Sequence, residues 1–141
     1  MKNIFLTLSV LFLVSCGTQT DFEIKDENGK TGILVQTNGN ILVDNVASGK
    51  ITKDGTVTDN DGKVIAKIGE NNLVTDSEGR ALIKITEKGK MDNGSGVYIE
   101  WSEDGELMKG NQNTGMKISP VKEDSFRNAS IILFLYLSFG K

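Results

Sequence analysis

The sequence contains no histidine and only one cysteine, one proline and one tryptophan among its 141 residues. The lack of histidine excludes Ser-His-Asp and Cys-His catalysis and most zinc sites. With Cys16 as the only thiol, an intramolecular disulfide is excluded as well. No Lys or Arg run is present and the formal net charge is −3, so the composition does not indicate a nucleic-acid partner.

The remaining composition is typical of one globular domain. The chain has 16 Gly, with 38% hydrophobic and 25% charged residues, which is too apolar for a disordered chain. At this length one modest core is expected rather than two independent ones.

The first sixteen residues have the pattern of a secretory signal. Lys2 provides a positive start, residues 4–13 form an apolar run, and Leu13-Val14-Ser15-Cys16 follows. This ending resembles the bacterial lipobox, which implies cleavage before Cys16, diacylglycerol on its sulfur and acylation, typically by palmitate, of the new amino terminus.

The lipobox resemblance implies a signal peptide over residues 1–15 and a lipidated tether over 16–21. The membrane is then the expected partner, in a bacterial cell envelope. Gly17 replaces the aspartate associated with inner-membrane retention in some bacteria, which favours the outer membrane. The alternatives are an uncleaved anchor or a buried thiol, but the apolar run is shorter than the roughly 20 residues of a membrane span.

The body of the chain repeats. Asp59-Asn60-Asp61-Gly62 and Asp76-Ser77-Glu78-Gly79 lie 17 residues apart, and each precedes an aliphatic segment. Gly and Asn recur between these acidic steps, where tight turns need positive φ. Five units are predicted, with a sixth half-unit over residues 103–108, and their leading residues are Asp26, Asp44, Asp59, Asp76 and Asp92.

This repeat predicts an all-β domain over residues 22–108. Each unit has two short β-prone segments around an acidic turn, and no helical apolar period survives between the turns. The expected fold is five β-hairpins of about 17 residues closed into a ring or barrel, since closure removes exposed strand edges. An open meander or β-solenoid is the alternative.

The repeated pattern G-x-V-x-D-x-x-G-x-x-I-x-x-I, best developed in residues 55–85, resembles the short repeats of exported bacterial proteins described as five-fold β-flowers. The resemblance implies hairpins arranged around a pseudo-five-fold axis. It implies no activity.

The TDNDG stretch fails as a calcium loop. With Gly62 at position 6 of an EF-hand loop, Asp59 and Asp61 take positions 3 and 5, but Val57 and Ile68 take positions 1 and 12. Those positions require oxygen ligands. We therefore expect no metal or cofactor site here and interpret the stretch as a hairpin turn; weak calcium binding by clustered acidic turns stays open.

Two further features have competing interpretations. Acidic pairs such as Glu100 with Asp104 or Asp59 with Asp76 are the basis for an alternative function, a small polysaccharide-acting enzyme, although a non-enzyme is predicted. Tyr98 and Trp101 are possible ligand-contact residues on an aromatic platform. The main interpretation places their segment in the core, because residues three apart on a strand point to opposite faces.

The C-terminal part divides in two. Residues 109–128 are polar, include Pro120 and are interpreted as a linker, and residues 129–141 form a hydrophobic segment. Burial of that segment against the repeat ring is expected; membrane contact, partner docking or an aberrant tail are the alternatives.

The sequence thus predicts a lipid-anchored envelope protein with a structural or binding role. Besides the enzyme, a carrier of an apolar ligand is the alternative, and it requires an apolar cavity of about 300 Å³ or more.

Overall fold

A computed structural model describes residues 19–92 and 98–138 of the chain. The predicted signal segment, Cys16 and residues 139–141 lie outside the described residues.

In these ranges the chain forms twelve strands, a short 3-10 turn at Glu70–Asn72 and one α-helix. The strands are short because a turn follows each of them after a few residues. Their bounds are β1 Thr20–Lys25, β2 Thr31–Gln36, β3 Asn40–Val43, β4 Val46–Ile51, β5 Val57–Thr58, β6 Val64–Ile68, β7 Leu73–Asp76, β8 Ala81–Ile85, β9 Met91–Asp92, β10 Tyr98–Trp101, β11 Glu106–Lys109 and β12 Gln112–Ser119; the helix, α1, is Glu123–Ser138.

The strands close into an antiparallel barrel in sequence order. Closure occurs where β1 pairs with β12 as well as with β2, and Ile24 lies opposite both Ile118 and Ile33. The predicted all-β fold with barrel-like closure is confirmed, and the open alternatives are not. The twelve strands form six hairpins, one more than the five repeats counted in the sequence.

The barrel interior is built from alternate residues of each strand. Phe22 and Ile24 of β1 are 1% and 3% exposed, whereas Glu23 between them faces outward and pairs with Lys25. The same two-residue period places Ile33 and Val35 of β2 inside. These alternate apolar residues therefore share one core.

The helix α1 passes through this core. Consecutive helical residues are about 100° apart around the axis, so Ser130, Ile131, Ile132 and Leu133 point in four different directions. All four are buried, at 0%, 0%, 0% and 3% exposure. A helix that is buried on every side must be enclosed, and α1 therefore fills the barrel. Within the described part of the apolar tail, residues 129–133 and Leu135 are buried as expected, and the secondary structure is helical.

The interpretation of residues 109–128 as a linker is wrong. This range contains β12, which closes the barrel, and the first residues of α1. Most of β12 is polar because its outward side chains face solvent, while Ile118 is 0% exposed. Pairing with β1 and β11 makes this segment a strand despite its composition.

Candidate functional site

Turns of the same backbone geometry occur at both ends of the barrel, but the first residue of the turn differs between the two ends. In several turns at each end the first residue accepts a backbone hydrogen bond from a Gly three residues on, as Asp59 does from Gly62 at 3.1 Å and Thr86 does from Gly89 at 2.9 Å. These glycines have positive φ, which closes a type I turn with a bulge. We call the end where α1 begins the basal end, and the opposite end, with Asp26, Asp59 and Asp76 in its turns, the acidic end.

At the acidic end the leading aspartates are bound to their own turns. Asp59 Oδ1 accepts backbone hydrogen bonds from Asp61 and Lys63, both at 2.9 Å. TDNDG is therefore a turn whose aspartate caps it, as predicted. In the described part of the chain no group of three or more His, Cys, Asp or Glu residues is arranged to hold a metal ion.

Asp76 makes the same contacts and adds an ion pair. Its Oδ1 accepts from the Arg80 backbone N–H at 2.9 Å, and its Oδ2 lies 2.7 Å from the Arg80 side chain. The backbone hydrogen bond from Arg80, followed by the guanidinium contact, lowers the pKa of the Asp76 carboxyl. Asp59 and Asp76 therefore serve separate turns, and this geometry does not favour the catalytic-pair interpretation.

The basal turns fold over the start of α1. A Cβ placed on Gly89 would lie 2.5 Å from the Phe126 carbonyl oxygen and 2.9 Å from Ser130 Oγ. At the acidic end the equivalent position in Gly79 has nothing within 4 Å. Three basal turns begin with uncharged Thr52, Thr86 and Ser102, whose side-chain hydroxyls accept backbone N–H bonds within their own turns. The basal end is closed, and the acidic end is more open.

Trp101 belongs to the core and not to a binding surface. It is 7% exposed, its ring stacks on Phe126 with centroids 5.8 Å apart, and its Nε1–H donates to Ser130 Oγ at 3.0 Å. Ser130 in turn donates to the Gly89 carbonyl. Every polar group of this buried contact is thereby paired.

Tyr98 lies on the other face of β10. It is 37% exposed, and Lys90 Nζ sits 3.8 Å from its ring centroid, a cation–π contact. The two residues predicted as possible ligand contacts are thus separated, and the shared aromatic platform of Tyr98 and Trp101 is wrong.

An apolar pocket opens at the acidic end, beside the last turns of α1. Its volume is about 160 Å³. We call it the rim pocket. Asp26 and Asp44 flank it from the turns after β1 and β3, and both are exposed. Its walls are formed by Ile24, Ile33, Val43, Met116, Leu133 and Tyr136.

The Tyr136 side chain forms a wall of the rim pocket with its polar end already bonded. Its hydroxyl donates to the Ser48 carbonyl oxygen at 3.0 Å. Burial, followed by the negative charge of Asp59, raises the pKa of this phenol. The ring therefore presents an uncharged, mainly apolar surface to the pocket.

The backbone on the far side of the pocket is unusual. Asp44 and Asn45 both have positive φ, 49° and 65°, which is the type I′ geometry of a two-residue hairpin. Asp and Asn tolerate it better than other residues with a side chain. The tight turn places Asp44, which is exposed, among the residues that line the pocket.

The rim-pocket residues were not identified from the sequence. They come from four strands, two turns and the helix, so no local motif joins them. The only available signal was the apolar character of residues 130–139 on all helical faces, which predicted burial but not a pocket. Cys16, the predicted lipidation site, lies outside the described residues.

In comparisons with known proteins, no family model, no curated protein and no solved structure matches the chain. Among the residues that the structure describes, no helix has the length and apolar character needed to cross a membrane.

Proposed function

We propose that this chain is a lipid-anchored protein of the bacterial cell envelope, outer membrane favoured, with a binding role. The sequence Leu13-Val14-Ser15-Cys16 after an apolar run supports the anchor. Two or more acyl chains hold a protein stably at a bilayer, because each buried methylene contributes about 0.8 kcal/mol.

The observation that carries the proposal is the short stretch of sequence between Cys16 and the first strand of the barrel. Strand β1 starts at Thr20, and only Gly17, Thr18 and Gln19 separate it from Cys16. At about 3.5 Å per residue such a tether reaches no more than roughly 14 Å. A lipid on Cys16 would therefore keep the barrel close to the membrane surface.

The short tether also sets the orientation. The Gln19 carbonyl accepts a hydrogen bond from Thr37 N at 2.9 Å, and Thr37 belongs to a basal turn. The chain thus leaves the barrel at the basal end. In the anchored protein the basal end faces the membrane, and the rim pocket at the acidic end faces away from it.

A binding role fits the architecture better than the alternatives do. The helix α1 occupies the interior of the barrel, and the apolar rim pocket, at about 160 Å³, is about half the size that the carrier alternative requires. The polysaccharide-acting enzyme would use paired carboxylates, whereas Asp59 and Asp76 each bond to their own turn. The proposed role is recognition of a small group at the acidic end.

Substitution of Cys16 tests the anchor. In the native host, the mature chain is expected to carry acyl mass on an N-terminal Cys16 and to sediment with membranes. Cys16→Ala removes the acyl acceptor, so the membrane-bound fraction should fall by a hundredfold or more, on the order expected for loss of several acyl chains.

Thr18→Ala is the matched control, because it changes a neighbouring residue and keeps the thiol. It should remain acylated and membrane-bound. A Cys16→Ala chain that stays on the membrane, or a native chain without acyl mass, would contradict the proposal.

A further inference from the structure

We propose that the rim pocket binds a small organic ammonium, with its apolar body inside and its charged group at the mouth between Asp26 and Asp44. This ligand class deepens the binding role proposed above and rests on it. It does not depend on the lipid anchor.

The size and lining of the pocket define the body of the ligand. Its volume of about 160 Å³ is close to that of an engineered apolar cavity of about 150 Å³ that accepts benzene. The most buried of the wall residues are Ile24 and Leu133, each 3% exposed. One aromatic ring or a short branched alkyl group would fill this space, whereas a long acyl chain would not fit.

The hydroxyl of Tyr136 in the pocket wall needs no hydrogen-bond partner from a ligand. The Tyr136 hydroxyl already donates to the Ser48 carbonyl, so the ring alone faces the pocket. A ligand with a hydroxyl or carboxylate at its inner end would lose hydration without gaining a partner. The interior therefore selects an apolar group.

The charges at the mouth define the other end of the ligand. Asp44 is exposed, and the two bonds of Asp26 go from the Asn28 and Lys30 amides to Oδ1. Lys25 also lines the pocket, and its ammonium lies 2.9 Å from the Glu23 carboxylate, which offsets its positive charge. The mouth is thus negative, and it complements a cation.

The distribution of charge also excludes a lysine side chain that enters with its end first. Its ammonium would reach the apolar floor at Ile24 and Leu133, where it would be desolvated without a counter-ion. The ligand must carry its ammonium at the outer end. Benzylammonium has this arrangement and serves as the probe.

Binding is measured by NMR on the full chain in aqueous buffer, with labelled Ile and Met methyl groups. Titration with benzylammonium should shift the Ile24 and Met116 methyl signals. Benzyl alcohol, which has the same ring without the charge, should bind about tenfold more weakly, in line with the loss of two exposed charge contacts. Phenylacetate should bind more weakly still.

Two sets of variants test the two halves of the site. The double variant Asp26→Asn, Asp44→Asn keeps an oxygen acceptor in the turn of residue 26 and a residue suited to positive φ at position 44. It should reduce the affinity for benzylammonium to that for benzyl alcohol. The matched control Asp76→Asn changes a turn aspartate away from the pocket and should bind as the native chain does. Val43→Phe should fill the pocket and abolish binding, whereas Val46→Phe on the exposed surface should not.

The proposal is overturned if benzylammonium does not shift the pocket methyl signals, if phenylacetate binds equally well, or if the Asp26 and Asp44 substitutions have no more effect than Asp76→Asn. A failed anchor test would not alter these shifts, so the outcomes for anchor and ligand can be told apart.

Discussion

Gly89→Ala should lower the free energy of unfolding by about 3 kcal/mol, the sum of a left-handed backbone penalty and overpacking against α1. Gly89 has φ +80°, and an added Cβ would lie 2.5 Å from the Phe126 carbonyl oxygen. That oxygen is backbone and cannot rotate away, so the turn and the helix would have to separate. Urea denaturation followed by the fluorescence of Trp101 measures the loss.

Gly79→Ala is the matched control for this experiment. Gly79 occupies the same turn position with φ +81°, but nothing lies within 4 Å of the added Cβ. Only the backbone penalty remains, so the expected loss is about 1 kcal/mol. Equal losses at the two glycines would show that the basal turn does not pack on α1.

Ile132→Ala should lower the free energy of unfolding by about 2–5 kcal/mol, the range for truncating a buried aliphatic side chain. Ile132 is 0% exposed, and the barrel surrounds α1, which limits the collapse of the resulting cavity. The same denaturation experiment measures this change.

Val46→Ala is its surface control. Val46 is 64% exposed, and its truncation should change the free energy of unfolding by no more than about 0.5 kcal/mol. If Ile132→Ala were as mild as Val46→Ala, α1 would not be part of the barrel core.

The turns are the part of the fold that the sequence predicts well. Asp59 and Asp76 each precede a Gly by three residues, and this local chemistry determines a hairpin turn without help from distant residues. The 17-residue spacing between the two then places one strand before and one after each turn. The all-β, barrel-like prediction rests on this repetition.

The C-terminal part of the fold, strand β12 and the helix α1, could not be predicted in the same way. Strand β12, Gln112–Ser119, carries few apolar residues, and its identity as a strand depends on pairing with β1, far away in sequence. The first turns of α1 are polar as well and resemble a linker. The β-flower resemblance implies five hairpins, whereas the structure has six.

The candidate site could not be predicted from the sequence, because its residues come together only when the barrel closes. Ile24, Val43, Met116 and Leu133 are scattered over more than a hundred positions, and only the barrel brings them to one pocket. Trp101 was easier to place, because the two-residue strand period favoured the core over a ligand contact. Its bond to Ser130 places it in the core beside α1.

The central feature of this account is a closed barrel with α1 inside it, and native-state hydrogen exchange tests it most directly. The amides of Ile131, Ile132 and Leu133 should exchange only through global unfolding, with the same free energy as Ile24 and Ile118 at the closing strand pair. Exchange of the three helical amides at a free energy several kcal/mol below that of the strands would contradict the enclosed helix.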